Sequence, residues 1–150
     1  MVHCLCNRIL RVDLGDRKIR IEPAEGISEK FLGGRGINQK ILFDEWDPSI
    51  HAFDEQSLLA IGAGLLVGTM APCASRLSID SKSAFSQGIG SANMGGYFAA
   101  ELKRAGFDHV ILTGRADRPV YLWIHDGDVE FKDASEIWMK DTLETEAFIR

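Results

Sequence analysis

Glycine is the residue type whose placement in this sequence says most about chemistry. The chain of 150 residues contains 15 glycines, and most of them fall into three groups, at positions 33–36, 62–68 and 88–96. Glycine at this density indicates backbone with unusual dihedral angles, or backbone that closely approaches another group. Tight turns between packed strands are the alternative explanation for any one group. Three groups around one predicted sheet favour a ligand that lies against the backbone.

The second glycine group is close to a dinucleotide-binding fingerprint but does not match it. That motif requires G-x-G-x-x-G directly after a strand and at the start of a helix. Here Gly62 and Gly64 are followed by Gly68, one residue too late for the motif. Pro72 would also break the helix whose N-terminus should bind the pyrophosphate. The sequence therefore does not favour a nucleotide site.

Two short segments carry groups that suit an anionic ligand. Arg76 begins a predicted strand, where its guanidinium suits bidentate contact with a phosphate or with the edge of a pterin. The alternative for Arg76 is an ordinary surface salt bridge. Gly95 and Gly96 precede a predicted helix, so their N–H groups and the helix dipole would favour an anion. Asn93 belongs either to this site or only to the helix cap.

The cysteines and histidines do not provide a self-contained catalytic or metal site. Cys4, Cys6 and Cys73 are the three cysteines, whereas zinc and iron–sulfur sites need about four well-spaced ligands. The sequence shows no recognisable Ser-His-Asp or Cys-His arrangement, so we assign no catalytic residue. We predict surface or strand positions for the four scattered histidines, which are His3, His51, His109 and His125.

Composition limits the classes of protein to which the chain can belong. Its formal net charge is -5, and no stretch concentrates Lys and Arg, so we do not expect nucleic acid as a partner. The longest apolar run, 58–67, contains two glycines and is shorter than the ~20 residues that span a bilayer. The N-terminus lacks the pattern of a secretion signal. An odd cysteine count argues against a disulfide framework, and we expect a soluble cytoplasmic protein with one domain over 1–150.

The apolar periodicity predicts an α+β fold with mixed sheets and a few flanking helices. Strands are predicted around 10–14, 19–21, 58–64, 77–81, 109–113, 120–125 and 129–132, with the first and last pairs as hairpins. Helical segments are predicted at 28–32 with Ser28 as the cap, at 37–44, at 97–105 before Gly106, and from a capping box at Asp141 to Arg150.

Five stretches of the sequence, which together run almost from end to end, resemble the N-terminal domain of the aldehyde:ferredoxin oxidoreductase family. They are RILRVDL at 8–14, FLGGRG at 31–36, GLLVGTMAP at 64–72, MGGYFAAELKRAGFD at 94–108 and VEFKDASEIW at 129–138. Motifs of this length in this order are far more specific than a single glycine pattern.

The resemblance implies a domain that serves as the base for a bis-pterin cofactor of tungsten or molybdenum. It implies that Arg76 contacts the pterin or its phosphate, and that Asn93 and Gly95 line the same cofactor. It also implies that the Asn93 carbonyl binds the magnesium ion that bridges the pterin phosphates. In such enzymes the metal pocket and the four-cysteine 4Fe-4S cluster come from later domains. This sequence contains no C-x-x-C-x-x-x-C motif, so we expect the chain to be inactive alone.

The activity that the resemblance implies is oxidation of aldehydes to carboxylic acids, with electrons passing through the 4Fe-4S cluster to ferredoxin. The expected partners are an aldehyde, ferredoxin and either the remainder of the enzyme or a partner subunit, with a homodimer as a possible assembly. A first alternative is the platform subunit of a related pterin enzyme, such as one that reduces rings. A second alternative is a non-catalytic, truncated copy.

Overall fold

The structure is a computed structural model that describes residues 4–149. This part of the chain forms a six-stranded sheet, a two-stranded hairpin and four helices. The strands are β1 (Arg8–Asp13), β2 (Lys18–Pro23), β3 (Leu59–Ala63), β4 (Leu77–Lys82), β5 (Ile89–Met94), β6 (His109–Thr113), β7 (Val120–His125) and β8 (Asp128–Asp133). The helices are α1 (Ile27–Phe31), α2 (Arg35–Glu45), α3 (Phe98–Arg104) and α4 (Thr142–Ile149).

The six-stranded sheet is mixed, which confirms the predicted α+β class. Its strands lie in the order β2-β1-β6-β3-β4-β5. β1 and β6 are parallel, and all other neighbours are antiparallel. The two predicted hairpins are present as β1–β2 and β7–β8. In the first turn Asp13 Oδ1 accepts hydrogen bonds from the backbone N–H groups of Gly15 and Asp16, each at 2.9 Å.

Alternation along the strands divides the apolar side chains between two core clusters, one on each face of the sheet. One cluster lies under α2 and contains Ile9, Ala24, Ile37, Ile41, Leu42, Leu58, Ala60 and Ile111. The other lies under α3 and the β7–β8 hairpin and contains Leu10, Val12, Ala63, Val67, Leu77, Ala99, Leu102, Phe107 and Val110. The two helices therefore hold the sheet between them, and the ends of its strands remain free to form a site.

β5 is the strand that the sequence patterns did not predict. It pairs with β4 from Leu77↔Met94 to Lys82↔Ile89, and it is the last strand at its edge of the sheet. Its side chains are mostly exposed. A strand without a covered face has no apolar alternation. Such a strand is defined only by its backbone hydrogen bonds to a neighbour, and these leave no pattern in the sequence.

Several helix ends differ from the predictions. Ser28 is buried inside α1, and Gly26 takes the cap position with φ +81°. α2 begins at Arg35, two residues earlier than expected. Gly106 follows α3 with φ +95°, consistent with the predicted left-handed cap. At the last helix, Asp141 Oδ1 accepts from the Glu144 N–H at 2.9 Å, which confirms the predicted cap.

Two predictions fall partly outside the described residues. α4 ends at Ile149, and the predicted helix end at Arg150 lies beyond the described part of the chain, as does His3. The other histidines are placed as predicted, since His51 and His125 are exposed and His109 lies in β6.

Candidate functional site

The first two glycine groups touch at the end of β3. Gly34 donates its backbone N–H to the Ala63 carbonyl at 3.0 Å. A Cβ built on Gly33 would lie 3.2 Å from the Leu65 nitrogen, and one on Gly34 would lie 3.5 Å from the Gly64 Cα. Because these glycines lack side chains, the loop that precedes α2 lies directly against the end of the strand.

The register of the strands brings the third glycine group to the same place. Gly64 donates its N–H to the Arg76 carbonyl at 3.0 Å. Ser78 is paired with Asn93, and the same register continued by two residues sets Arg76 opposite Gly95. The structure therefore brings the three predicted site residues together. We call this end of the sheet the shelf; it consists of Gly33, Gly34, Gly64, Arg76, Asn93 and Gly95.

The Arg76 guanidinium is free to bind a ligand. Arg76 is exposed, and its side chain has no ion pair or hydrogen bond within residues 4–149. By contrast, Arg104 on α3 pairs with Glu101. The structure thus disfavours the alternative of an ordinary surface salt bridge for Arg76. An unpaired guanidinium whose backbone is fixed on a sheet is suited to bind an oxyanion bidentately.

Asn93 and Gly95 do not serve as the cap of the helix that follows. Asn93 lies inside β5, and the N-cap of α3 is Tyr97. The helix begins at Phe98, so Gly95 and Gly96 precede it, as predicted, and neither of them lies in its first turn. Gly95 is exposed, and a Cβ there would have its nearest neighbour, Ser75 Oγ, at 3.7 Å.

Gly62, which suggested a dinucleotide fingerprint, has a different explanation. A Cβ at this position would lie 2.5 Å from Asn38 Oδ1 and 2.5 Å from the His109 ring. Between β3 and β4 the chain forms turns and no helix, so nothing there offers a helix N-terminus to a pyrophosphate. Gly62 is required because two buried polar side chains occupy the space beside it.

Those side chains belong to a buried polar network on the α2 face of the sheet. His109 Nδ1 lies 2.8 Å from Asn38 Oδ1, and Asn38 Nδ2 donates to Asp80 Oδ2 at 2.8 Å. Ser78 Oγ donates to the same carboxylate oxygen at 2.7 Å. Sequence patterns missed this group. Its only signal was a polar residue at a helical core position beside Ile37, and a carboxylate in a strand.

The buried imidazole makes the stability of the fold depend on pH. Burial lowers the pKa of His109 from 6.5 to about 4, so the unfolded chain binds this proton more tightly than the folded one. Above pH 6.5 the imidazole is neutral in both states and does not reduce the free energy of unfolding. As the pH falls from 6.5 to 4, protonation of the unfolded chain lowers that free energy. The full loss is about 3 kcal/mol. We expect urea unfolding of a His109→Asn variant to show a shallower loss of stability between pH 6.5 and 4. Equal slopes for both proteins would contradict this assignment.

A buried ion pair lies under the same end of the sheet on the α3 face. The Lys103 ammonium lies 3.5 Å from Asp108 Oδ1, and the two side chains are 6% and 1% exposed. Lys103 also donates to the carbonyls of Cys4 at 2.7 Å and Leu65 at 2.9 Å. This lysine therefore ties the N-terminal segment and the loop after β3 to α3.

The Cys6 thiol, which lies next to that ion pair, is in surroundings that keep it protonated. Cys6 Sγ donates to the Lys103 carbonyl at 3.3 Å. Burial raises the pKa of the Cys6 thiol, and the Asp108 carboxylate adds to this effect. The protonated thiol is a poor nucleophile and a poor metal ligand. Within residues 4–149 no group of three or more His, Cys, Asp or Glu side chains is placed to hold a metal ion.

The shelf is an open surface and not a closed pocket. A cavity of about 780 Å³ lies at the opposite end of the sheet, and its lining includes Leu14, Leu59, Arg115 and Trp138. A ligand on the shelf would therefore remain partly exposed unless another part of the protein covered it. No helix in the described part of the chain has the length and apolarity needed to cross a membrane.

Comparisons with known proteins find matches that cover almost the whole chain. The family model for the aldehyde ferredoxin oxidoreductase N-terminal domain matches residues 9–150. The tungsten-containing aldehyde ferredoxin oxidoreductase of Pyrococcus furiosus is 43% identical over 144 residues, which cover 95% of this chain and 24% of the relative. The aliphatic sulfonate oxidoreductase, WOR-like subunit, of the same organism is 38% identical over 136 residues, covering 87% of this chain and 21% of the relative.

A solved structure has the same fold. It is the active-site complex BamBC of benzoyl coenzyme A reductase in complex with 1,5-dienoyl-CoA, and it matches with a TM-score of 0.94 and 36% identity. The match covers 97% of this chain and 22% of that one, so the chain spans about a quarter of the length of the proteins it resembles. These matches show that the chain belongs to the aldehyde ferredoxin oxidoreductase family, in which it corresponds to the N-terminal domain.

Proposed function

We propose that this chain is the pterin-binding platform of a tungsten or molybdenum oxidoreductase. The observation that carries the proposal is that Arg76, whose guanidinium is unpaired within residues 4–149, lies at the same end of the sheet as glycine backbone from three separate segments. The name of the 43% identical relative, a tungsten-containing enzyme, supports the same cofactor class. The bound cofactor would supply the two-electron redox chemistry, and the chain would hold it in place.

The residues of the shelf fit such a cofactor. The free Arg76 guanidinium would bind the pterin edge or its phosphate, because it matches either group bidentately. Gly95 would let the ligand approach the backbone, since the nearest atom to its Cβ position outside the adjoining residues is Ser75 Oγ at 3.7 Å. The Asn93 carbonyl would bind a magnesium ion of the cofactor, in keeping with the preference of magnesium for oxygen ligands.

The remaining parts of the enzyme would lie outside this chain. We propose that the complete protein, in the cytoplasm, oxidises an aldehyde to a carboxylic acid and passes two electrons through a 4Fe-4S cluster to ferredoxin. The cluster ligands and the cover of the open shelf would come from the remainder of the enzyme or from a partner subunit, and a homodimer is compatible with either arrangement. Residues 1–150 would then be a single pterin-binding domain that is inactive alone.

A second function is favoured by a specific observation. The structural match to a benzoyl coenzyme A reductase complex reaches 36% identity, and the match to an aliphatic sulfonate oxidoreductase subunit reaches 38%. Domains similar to this chain therefore occur in proteins whose names give other substrates. Turnover of an aldehyde, compared with turnover of an aromatic thioester, would distinguish an aldehyde oxidase from a ring-reducing enzyme.

Replacement of Arg76 tests the proposed role of the shelf. A charge-assisted hydrogen bond contributes about 1.5–3 kcal/mol, so Arg76→Ala should lower the affinity for the cofactor about 10- to 100-fold. We expect the purified holoprotein to lose most of its tungsten or molybdenum and its pterin, measured by elemental analysis and by fluorescence of the oxidised pterin. Arg104→Ala, which removes an exposed arginine from α3, is the matched control. Unchanged metal and pterin in Arg76→Ala would refute the role of Arg76.

A further inference from the structure

Three polar side chains beneath the shelf are completely buried. Asn38, Asp80 and His109 are each 0% exposed, and they come from α2, β4 and β6. Burial of polar groups costs free energy unless each group finds a partner. A group of this kind therefore needs an explanation beyond core packing.

The directions of the hydrogen bonds determine the orientation of the Asn38 amide and the tautomer of His109. Asn38 Nδ2 lies near three acceptors, at 3.2 Å from the Ala60 carbonyl, 3.1 Å from the Ser78 carbonyl and 2.8 Å from Asp80 Oδ2. The amide oxygen of Asn38 must therefore face His109, and His109 must donate from Nδ1–H. The imidazole carries one proton, on Nδ1, and its orientation is set.

The network connects the segments that form the shelf. The Asn38 backbone N–H donates to the Gly34 carbonyl at 3.1 Å, which places this side chain one turn into α2 from the shelf glycines. The Ser78 carbonyl, which Asn38 contacts, belongs to the residue paired with Asn93. His109 is paired with Gly62, two residues before Gly64. Any shift of these side chains would move the segments on which the ligand would lie.

Stability alone does not account for the network. His109 Nε2 is buried without a hydrogen-bond partner in the described part of the chain, and such a group costs about 1–3 kcal/mol. Apolar residues of the same volume often stabilise a core as well as a buried polar group does, or better. The hydrogen bonds among Asn38, Asp80 and His109 instead favour one arrangement of the elements that they join.

We propose that Asn38, Asp80 and His109 are positioning residues that fix α2, β3, β4 and β6 in the one relative placement that the ligand-binding shelf requires. This inference rests on the proposed pterin-binding function. It assigns a role to residues that do not themselves contact the ligand. It also explains Gly62, whose missing Cβ leaves room for the Asn38–His109 contact.

The test compares apolar and isosteric substitutions in the holoprotein isolated from its own host. Asn38→Leu and Asp80→Leu break the network, and each should lower the tungsten or molybdenum and pterin content about tenfold, as removal of outer-shell partners does at other metal sites. Asp80→Asn keeps both hydrogen bonds at the same oxygen position and should retain the cofactor. Amide hydrogen exchange at Gly64 and Gly95 should accelerate in the Leu variants and not in Asp80→Asn.

A matched control separates positioning from stability. Ile41→Ala removes a buried apolar side chain from the same helix and should lower the melting temperature without loss of cofactor. The inference is overturned if the Leu variants keep their cofactor, if Asp80→Asn loses as much as they do, or if Ile41→Ala loses as much at an equal melting temperature. A parent protein without metal and pterin would instead overturn the proposed function, and this inference with it.

Discussion

Replacement of Lys103 with Met is expected to lower the free energy of unfolding by about 3–5 kcal/mol, the usual cost of removing one partner of a buried ion pair. The reason is that Asp108 is 1% exposed and both of its carboxylate oxygens lack a hydrogen-bond partner among the described residues. Without the ammonium, a buried negative charge would have no compensation. Urea unfolding monitored by tryptophan fluorescence measures the difference.

The double variant Lys103→Met with Asp108→Leu is the control for this prediction. It removes both charges, so it should recover at least half of the stability that the single variant loses. Recovery would remain incomplete, because the Cys4 and Leu65 carbonyls lose the donor that Lys103 provides. A single variant that costs less than about 1 kcal/mol, as an exposed pair would, would show that the pair is not buried in solution.

Replacement of Gly62 with Ala is the second change with a large expected effect. The new Cβ would lie 2.5 Å from Asn38 Oδ1 and from two atoms of the His109 ring, so the buried network or the strand must shift. Overpacking of this kind costs about 1–3 kcal/mol. We expect a lower midpoint of urea unfolding with an unchanged slope, which indicates a change of stability alone.

Gly88→Ala provides the comparison at an open position. Its Cβ would meet nothing closer than the Ser86 Oγ at 3.7 Å, so we expect a change within about 0.5 kcal/mol, as at other surface positions. If Gly62→Ala were equally neutral, the tight contact among Gly62, Asn38 and His109 would be wrong, and the explanation of this glycine would fail with it.

The sequence predicted those parts of the fold in which one covered face leaves a periodic pattern. Both hairpins were predicted because apolar residues alternate around short polar turns, and α2 because Ile37 and Ile41 recur at helical spacing. β5 was missed because it lies at the edge with exposed side chains, so no alternation marks it. The same exposure is what leaves Asn93 accessible in the site.

Sequence patterns singled out the residues of the shelf but not the buried polar network beneath it. Arg76 and the glycine groups stand out by residue type, whereas their contact depends on the register of β4 against β5, which sequence patterns do not give. Asn38, Asp80 and His109 are far apart along the chain, and each is unremarkable on its own. Their hydrogen bonds arise only when α2 packs across the sheet.

The metal and pterin content of the holoprotein tests the central claim most directly. We expect elemental analysis to find tungsten or molybdenum in the protein isolated from its own host, together with pterin released on denaturation, and we expect both to fall in parallel in Arg76→Ala. A folded protein that contains neither tungsten, molybdenum nor pterin would contradict the proposal that the shelf binds a metal pterin, and would favour a non-catalytic copy of the domain.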